Sequence, residues 1–280
     1  MPEGHTVHRL ALRHQQCYAG SPVAVSSPQG RFASAAAVLD GRVLEGVEAL
    51  GKHLFHVYGP DLVVHVHLGL YGAFTEATLP VTPPRGQVRM RLVGATHWTD
   101  LRGPMACELL TDPEVEAVRA RLGPDPLRSD ADPDRAWARI SRSSAPLATL
   151  LMDQSVLAGI GNVYRAEVLF RHRLDPWRPG RDLRPVEWAA VWSDLVELMG
   201  DGVRCGRIDT VAAVHDPIRT GRAPRRDRHG GEVYVYRRAG APCLVCGTEV
   251  ATAAHAGRNL YWCPTCQCPA PSNSSSWKSP

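Results

Sequence analysis

Lysine is almost missing from this chain. Against 30 arginines there are two lysines, Lys52 and Lys278. Lys278 falls in a Ser-rich tail, so one lysine remains in the folded body. Where composition favours Arg this strongly, a lone Lys marks a place that wants a compact ammonium able to titrate, which guanidinium is not. Its setting, Gly51-Lys52-His53-Leu54-Phe55, leads into a strand, where a side chain is held firmly. Long apolar runs are missing as well. None reaches 18 residues, and the first 20 residues carry His, Arg and Glu throughout. Neither a membrane-spanning helix nor a secretory leader is expected. Cys17, Cys107, Cys205 and Cys268 have no evident partners, which fits a reducing, cytoplasmic setting. The net charge of +4 excludes a polycation.

The remaining four of the eight cysteines are patterned. Cys243-Leu-Val-Cys246 and Cys263-Pro-Thr-Cys266 are two C-x2-C pairs with 16 residues between them. That is the spacing of a structural zinc site with four thiolates and no open position. The intervening stretch, Gly247 to Trp262, is long enough to run out and back as two strands. One Zn2+ then replaces the core that a unit of about 25 residues cannot build alone. Cys268 is a possible competitor for Cys266. Cys266 is preferred because Cys-Pro-x-Cys makes a tight knuckle and Cys268 already lies in the tail. Just before the zinc ligands, Arg219 to Arg238 holds seven arginines against Asp227 and Glu232, a local net of +5. Such a patch suits a phosphate backbone; a solvated loop is the alternative.

The pattern along the chain is that of an α+β multidomain protein. Residues 2 to about 17 read as a helix with Val7, Leu10, Ala11 and His14 on one stripe. From about 22 to 110, apolar or alternating runs such as Leu62–Leu68 and Val88–Val93 are separated by turn signals. They predict an antiparallel β-sandwich. The second half is helical, with a stripe from Trp188 to Met199 that starts at Pro185 and stops at Gly200; its tryptophans are read as core. Between them, Leu150 to Leu169 contains Gly159, Gly161 and Asn162. Asn162 is expected to cap the next helix, whose free N–H groups would form an anion site for a DNA phosphate. The division expected is 1–112 for an N-terminal catalytic β-sandwich domain and 113–145 for a linker and the start of the helical domain. Residues 146–238 follow as a DNA-binding helical domain with the basic loop, 239–268 as the zinc unit, and 269–280 as a disordered tail.

Four motifs occur in order: Met-Pro-Glu-Gly-His at the start, the lone Gly-Lys-His near position 50, Leu-Met-Asp-Gln with Gly-Ile-Gly-Asn-Val-Tyr, and Gly257-Arg258-Asn-Leu-Tyr-Trp-Cys-Pro-Thr-Cys-Gln267. Together they resemble the formamidopyrimidine-DNA glycosylase/endonuclease VIII family. The resemblance implies a β-sandwich, a helix-two-turn-helix domain and a zinc finger with a β-hairpin. It implies a bifunctional DNA glycosylase and abasic-site lyase of base excision repair, acting as a monomer on damaged DNA in the cytoplasm, at the nucleoid during repair. Loss of Met1 would free Pro2 as the nucleophile. Glu3 would be the general acid, and Lys52 would serve the phosphate and proton transfer at the lesion. Asn162 and Arg258 would hold the phosphates beside the flipped nucleotide. Leu70-Tyr71 would fill the hole left in the duplex, an arrangement similar to the endonuclease VIII branch, where Gln often stands at the position of Gly69. This points to oxidised pyrimidines, with 8-oxoguanine or formamidopyrimidine lesions as the alternative. A zinc-ribbon protein that binds nucleic acid without catalysis would explain the cysteines but not the N-terminus.

Overall fold

Helix α1 (Gly4–Tyr18) buries Val7, Ala11, His14 and Tyr18 on one side and Gly4 and His5 at its start. The first set faces the sandwich and the second faces the helical half, so one helix touches both. The computed structural model describes residues 2–226 and 231–267. The expectations placed on Met1, Cys268 and the tail lie outside the described residues.

Two four-stranded antiparallel sheets follow. One runs in the order Ala106–Leu110, Val63–His67, His53–Val57, Gly46–Leu50; the other runs Ala24–Ser26, Val88–Val93, His97–Arg102, Ala73–Thr78. Leu54, Val64 and Val66 from the first meet Val25, Met90, Leu92 and Leu101 from the second, with Val7, Ala11 and Tyr18 of α1 in the same core. Helix α2 (Ala33–Leu39) adds Ala36 and Leu39 to it. Phe55 and Val63 belong to a smaller cluster on the other face of the first sheet, under Val115 and Val118 of helix α3 (Asp112–Ala120). A sheet covered on both faces explains why these strands read as apolar runs rather than clean alternation.

The helical half comprises α4 (Pro133–Ile140), α5 (Leu147–Leu150), α6 (Asn162–Arg171) and α7 (Pro185–Cys205). Helix α7 starts at Pro185 as expected, but it runs through Gly200 and ends at Gly206, which has φ 73°. Glycine weakens a helix interior by about 1 kcal/mol, and here packing prevails. A Cβ on Gly202 would lie 2.4 Å from the Tyr164 hydroxyl and 3.1 Å from His5 Cβ, so the glycine admits α1 and α6 at close range. Trp188 is buried in the core with Val191 and Leu195.

The last strands, Ala251–His255 and Arg258–Trp262, form a hairpin whose two turn residues, Ala256 and Gly257, have φ of 49° and 72°. That is the tight two-residue turn whose twist suits paired strands. The unit does not rely on metal alone. Val250, Leu260 and Cys263 are buried in the same core as Leu169 and Val235, so the hairpin leans on the helical half.

Candidate active site

The start of α6 departs from the sequence expectation. Asn162 is not its cap. It is the first helical residue, and Gly161 stands at the cap position without a side chain to offer. The open N–H groups are satisfied instead by Glu3, from the other end of the chain. Its Oε1 accepts from Val163 N at 2.8 Å, and its Oε2 accepts from Gly161 N at 3.0 Å and Tyr164 N at 3.4 Å. The anion at this helix terminus is therefore the protein's own carboxylate, and the phosphate expected there has no free N–H cluster to bind. Gly161 is required for this contact, since a Cβ would lie 2.3 Å from the Glu3 carboxyl carbon. The Asn162 side chain turns to the hairpin, donating to Asn259 O at 2.9 Å and accepting from the buried guanidinium of Arg165.

Lys52 comes to the same loop from the sandwich. Its Nζ donates to Ile160 O at 2.5 Å, and that carbonyl also accepts from Gln154 Nε2 at 2.9 Å. Gly4 N donates to Gly159 O at 2.8 Å. One stretch of backbone, 159 to 164, thus holds Glu3 and Lys52 and sets half-buried Pro2 one residue before Glu3. Burial lifts the Glu3 carboxyl above the ordinary carboxylate range, while Lys52 and the three N–H donors pull it back. Burial lowers the Lys52 ammonium; Glu3 opposes that shift and Arg258 adds to it. A carboxyl inclined to keep its proton beside an ammonium inclined to release one is an arrangement suited to proton transfer.

Leu70 and Tyr71 sit on a tight turn in which Gly72 N donates to Leu68 O at 2.9 Å. Leu70 is 43% exposed and Tyr71 87%, which rules out a core contact. Gly69, at φ 66°, packs on Met105: a Cβ there would lie 3.0 Å from Met105 Cβ. Leu70, Tyr71, Asn162 and Arg258 line one cleft of about 840 Å³. Tyr236, Arg237 and Tyr261 line it too, and sequence reasoning did not select them. The Arg237 guanidinium lies 5.5 Å from the Tyr236 ring centre, and Tyr236 meets Tyr261 edge-on at 5.5 Å. Arg237 belonged to the basic patch but had no mark of its own. Tyr236 is placed by a residue with no motif at all, Glu167 of α6, whose carboxylate accepts from the backbone N–H groups of Tyr234, Val235 and Tyr236 at 2.7–2.9 Å.

The four cysteines converge. Cys243 and Cys266 sulfurs are 3.9 Å apart and those of Cys246 and Cys263 are 3.4 Å apart. All four lie within 4.8 Å of one another. A disulfide needs about 2.05 Å, whereas a tetrahedral zinc with about 2.3 Å bonds separates its sulfurs by about 3.8 Å. The donor set therefore fits one zinc ion. Buried Gln267 accepts from Cys263 N at 2.9 Å and donates to Leu174 O at 3.0 Å, tying the second knuckle to the helical half.

Comparison with known proteins finds three family domains along the chain. Residues 1–107 match the formamidopyrimidine-DNA glycosylase N-terminal domain, 122–213 its H2TH domain, and 240–267 the zinc finger found in FPG and IleRS. Endonuclease 8 1 of Mycobacterium tuberculosis is 59% identical over 95% of this chain and 100% of its own length. Formamidopyrimidine-DNA glycosylase of Thermus thermophilus is 32% identical over 82% of this chain and 85% of its own. The fold matches that of the Lactococcus lactis formamidopyrimidine-DNA glycosylase bound to abasic-site DNA, with a TM-score of 0.76, 21% identity, and coverage of 95% of this chain and 99% of that one. With its three domains in order and relatives along nearly its whole length, the chain belongs to the formamidopyrimidine-DNA glycosylase/endonuclease VIII family of DNA glycosylases and abasic-site lyases, on the endonuclease VIII side.

Proposed function

We propose that this glycosylase removes oxidised pyrimidines, with Pro2 as nucleophile, and then cuts the strand by elimination. Loss of Met1 frees a secondary amine; an α-amine titrates near pH 8, so an appreciable neutral fraction is present at pH 7. Its lone pair forms a bond to C1′ as the bond from C1′ to the base breaks, and the proton that the proline nitrogen sheds goes to the departing base. Glu3 gives its proton to the sugar ring oxygen as the ring opens, leaving an iminium between Pro2 and C1′. The iminium acidifies C2′. Loss of that proton expels the 3′ phosphate, and water then releases the enzyme.

The observation that carries this reading is the Glu3 carboxylate. It is fully buried, held on three backbone N–H groups, one residue from Pro2 and in the field of Lys52. Lys52 serves the phosphate and the proton transfers. Arg258 and Asn162, on the wall of the cleft, serve the DNA backbone. Leu70 and Tyr71 enter the stack as the damaged nucleotide leaves it. The exposed Leu-Tyr pair and the 59% identity to an endonuclease 8 favour pyrimidines. So does residues 208–226, a stretch without Phe, Tyr or Trp to enclose a purine. Its His215 is taken up by the Tyr234 hydroxyl at 3.0 Å.

Borohydride reduction on a panel of damaged duplexes tests the mechanism and the substrate together. The expected product is a covalent adduct whose modified peptide begins at Pro2, formed faster with thymine glycol than with 8-oxoguanine opposite cytosine. An adduct at Lys52 overturns the nucleophile. Faster trapping on 8-oxoguanine overturns the lesion class and leaves Pro2 standing.

A further inference from the structure

The segment read from sequence as a linker and the start of the helical domain carries a fully buried carboxylate at Asp125. Its Oδ2 accepts from Gly51 N at 2.6 Å and from His8 Nε2 at 2.7 Å, and its Oδ1 accepts from Leu127 N at 2.9 Å. Gly51 immediately precedes Lys52, and His8 lies on α1, the helix that begins just after Pro2 and Glu3. The same segment is also stitched to the catalytic loop. Gly123 N donates to Gln154 O at 2.9 Å and Ala158 N donates to Pro124 O at 3.0 Å. Gly51 itself, at φ 58°, is wedged against that loop, since a Cβ would come within 3.0 Å of Ala158 Cβ and Gly159 N. The carboxylate therefore joins two pieces, the helix behind the nucleophile and the turn that aims Lys52, and the backbone on its N-terminal side joins both to the loop whose Ile160 carbonyl receives the ammonium.

We propose that Asp125, supported by His8, is a positioning residue for the reaction, acting through Lys52. The inference rests on the role given to Lys52 above. A carboxylate suits the place because three N–H groups converge on it; an amide has one acceptor oxygen, and its NH2 must oppose one of the three donors. An amide whose oxygen takes the place of Oδ2 sets its NH2 against Leu127 N, and one turned the other way sets it against Gly51 N and His8; either clash displaces the side chain and lets the turn at Gly51 relax. Displacement of a catalytic group by about 1 Å costs on the order of 100-fold in rate. The carboxylate bonds Gly51, His8 and Leu127, which are not cleft-lining residues, so the loss in DNA affinity is limited to what Lys52 gives the phosphate and the larger effect falls on chemistry.

The test is a double-mutant cycle on the full chain, read by single-turnover excision of thymine glycol. Duplex affinity is measured in parallel with an uncleavable abasic analogue. Asp125→Asn is expected to slow excision by about 10- to 100-fold, with analogue affinity within about twofold of the parent, and to add nothing in a Lys52→Gln background. His8→Leu should slow excision severalfold, and His8→Gln, which keeps an N–H donor, should recover most of that loss. If Asp125→Asn does not fold, His8→Leu takes its place in the cycle. A Lys52→Gln enzyme at full rate sinks the role of Lys52 and this inference with it. A slow Lys52→Gln enzyme that the second substitution slows a further tenfold leaves Lys52 standing and overturns the inference alone.

Discussion

Glu3 and Glu167 are both fully buried carboxylates, and each is saturated by three backbone N–H groups. Glu3 takes its donors from the start of α6. Glu167 sits in the middle of that helix and takes them from 234–236, with the Thr210 hydroxyl as a fourth at 2.5 Å. By burial and by their three backbone donors the two are alike. What separates them is company. Glu3 shares its pocket with the Lys52 ammonium, follows Pro2 in the chain, and is lifted toward its protonated form by burial. Glu167 has the Arg238 guanidinium in its field, a group that stays charged and has no proton to trade, and its work is to pin Tyr236 on the cleft wall. A buried, donor-rich carboxylate is thus a fastening by default; a second titratable group beside it turns it toward chemistry.

Exchanging each for glutamine breaks or sharpens this contrast. Both substitutions point an NH2 at a backbone N–H, so both should lower the melting temperature. Glu3→Gln should also cut single-turnover excision on the order of 10³-fold, the usual range for a lost general acid, while the protein still binds an abasic analogue. Equal excision by Glu3→Gln and the parent would reduce Glu3 to a helix cap. Glu167→Gln should cost about 2 to 3 kcal/mol of stability, seen in urea unfolding. Its excision rate per folded molecule should stay within about fivefold of the parent. A loss as deep as that of Glu3→Gln would erase the distinction between fastening and catalyst.

The smallest effect is expected on the cleft. Leu70→Ala should slow excision of thymine glycol by about 5- to 10-fold, roughly 1 to 1.4 kcal/mol. Cleavage at a preformed abasic site should hardly change, because there is no base to extrude. Matching losses on both substrates would tie Leu70 to cleavage rather than to extrusion.

Short-range order was legible from the residues. The C-x2-C pairs, the α1 stripe, the Pro185 start of α7 and the lone Lys52 each rest on spacing or composition within one segment. Local chemistry governs them: thiolate geometry, helical periodicity, a fixed proline φ. Errors arose where a local rule met a distant partner. Asn162 is a good cap in isolation, but Glu3, 159 positions earlier, brings a charged acceptor to the same N–H groups and wins. Gly200 is a plausible stop, but α1 and α6 press on α7 two residues further along, at Gly202, and the helix carries on to Cys205. Glu167, Tyr236 and Asp125 had no signal at all, because their meaning lies in groups 43 to 117 residues away. The sequence by itself determined the parts: a metal knuckle, a sandwich, a helical half, and a proline and glutamate at the start. Only the tertiary structure decided which carboxylate faces which N–H, since a buried charge is tolerated only where the whole fold converges enough donors on it.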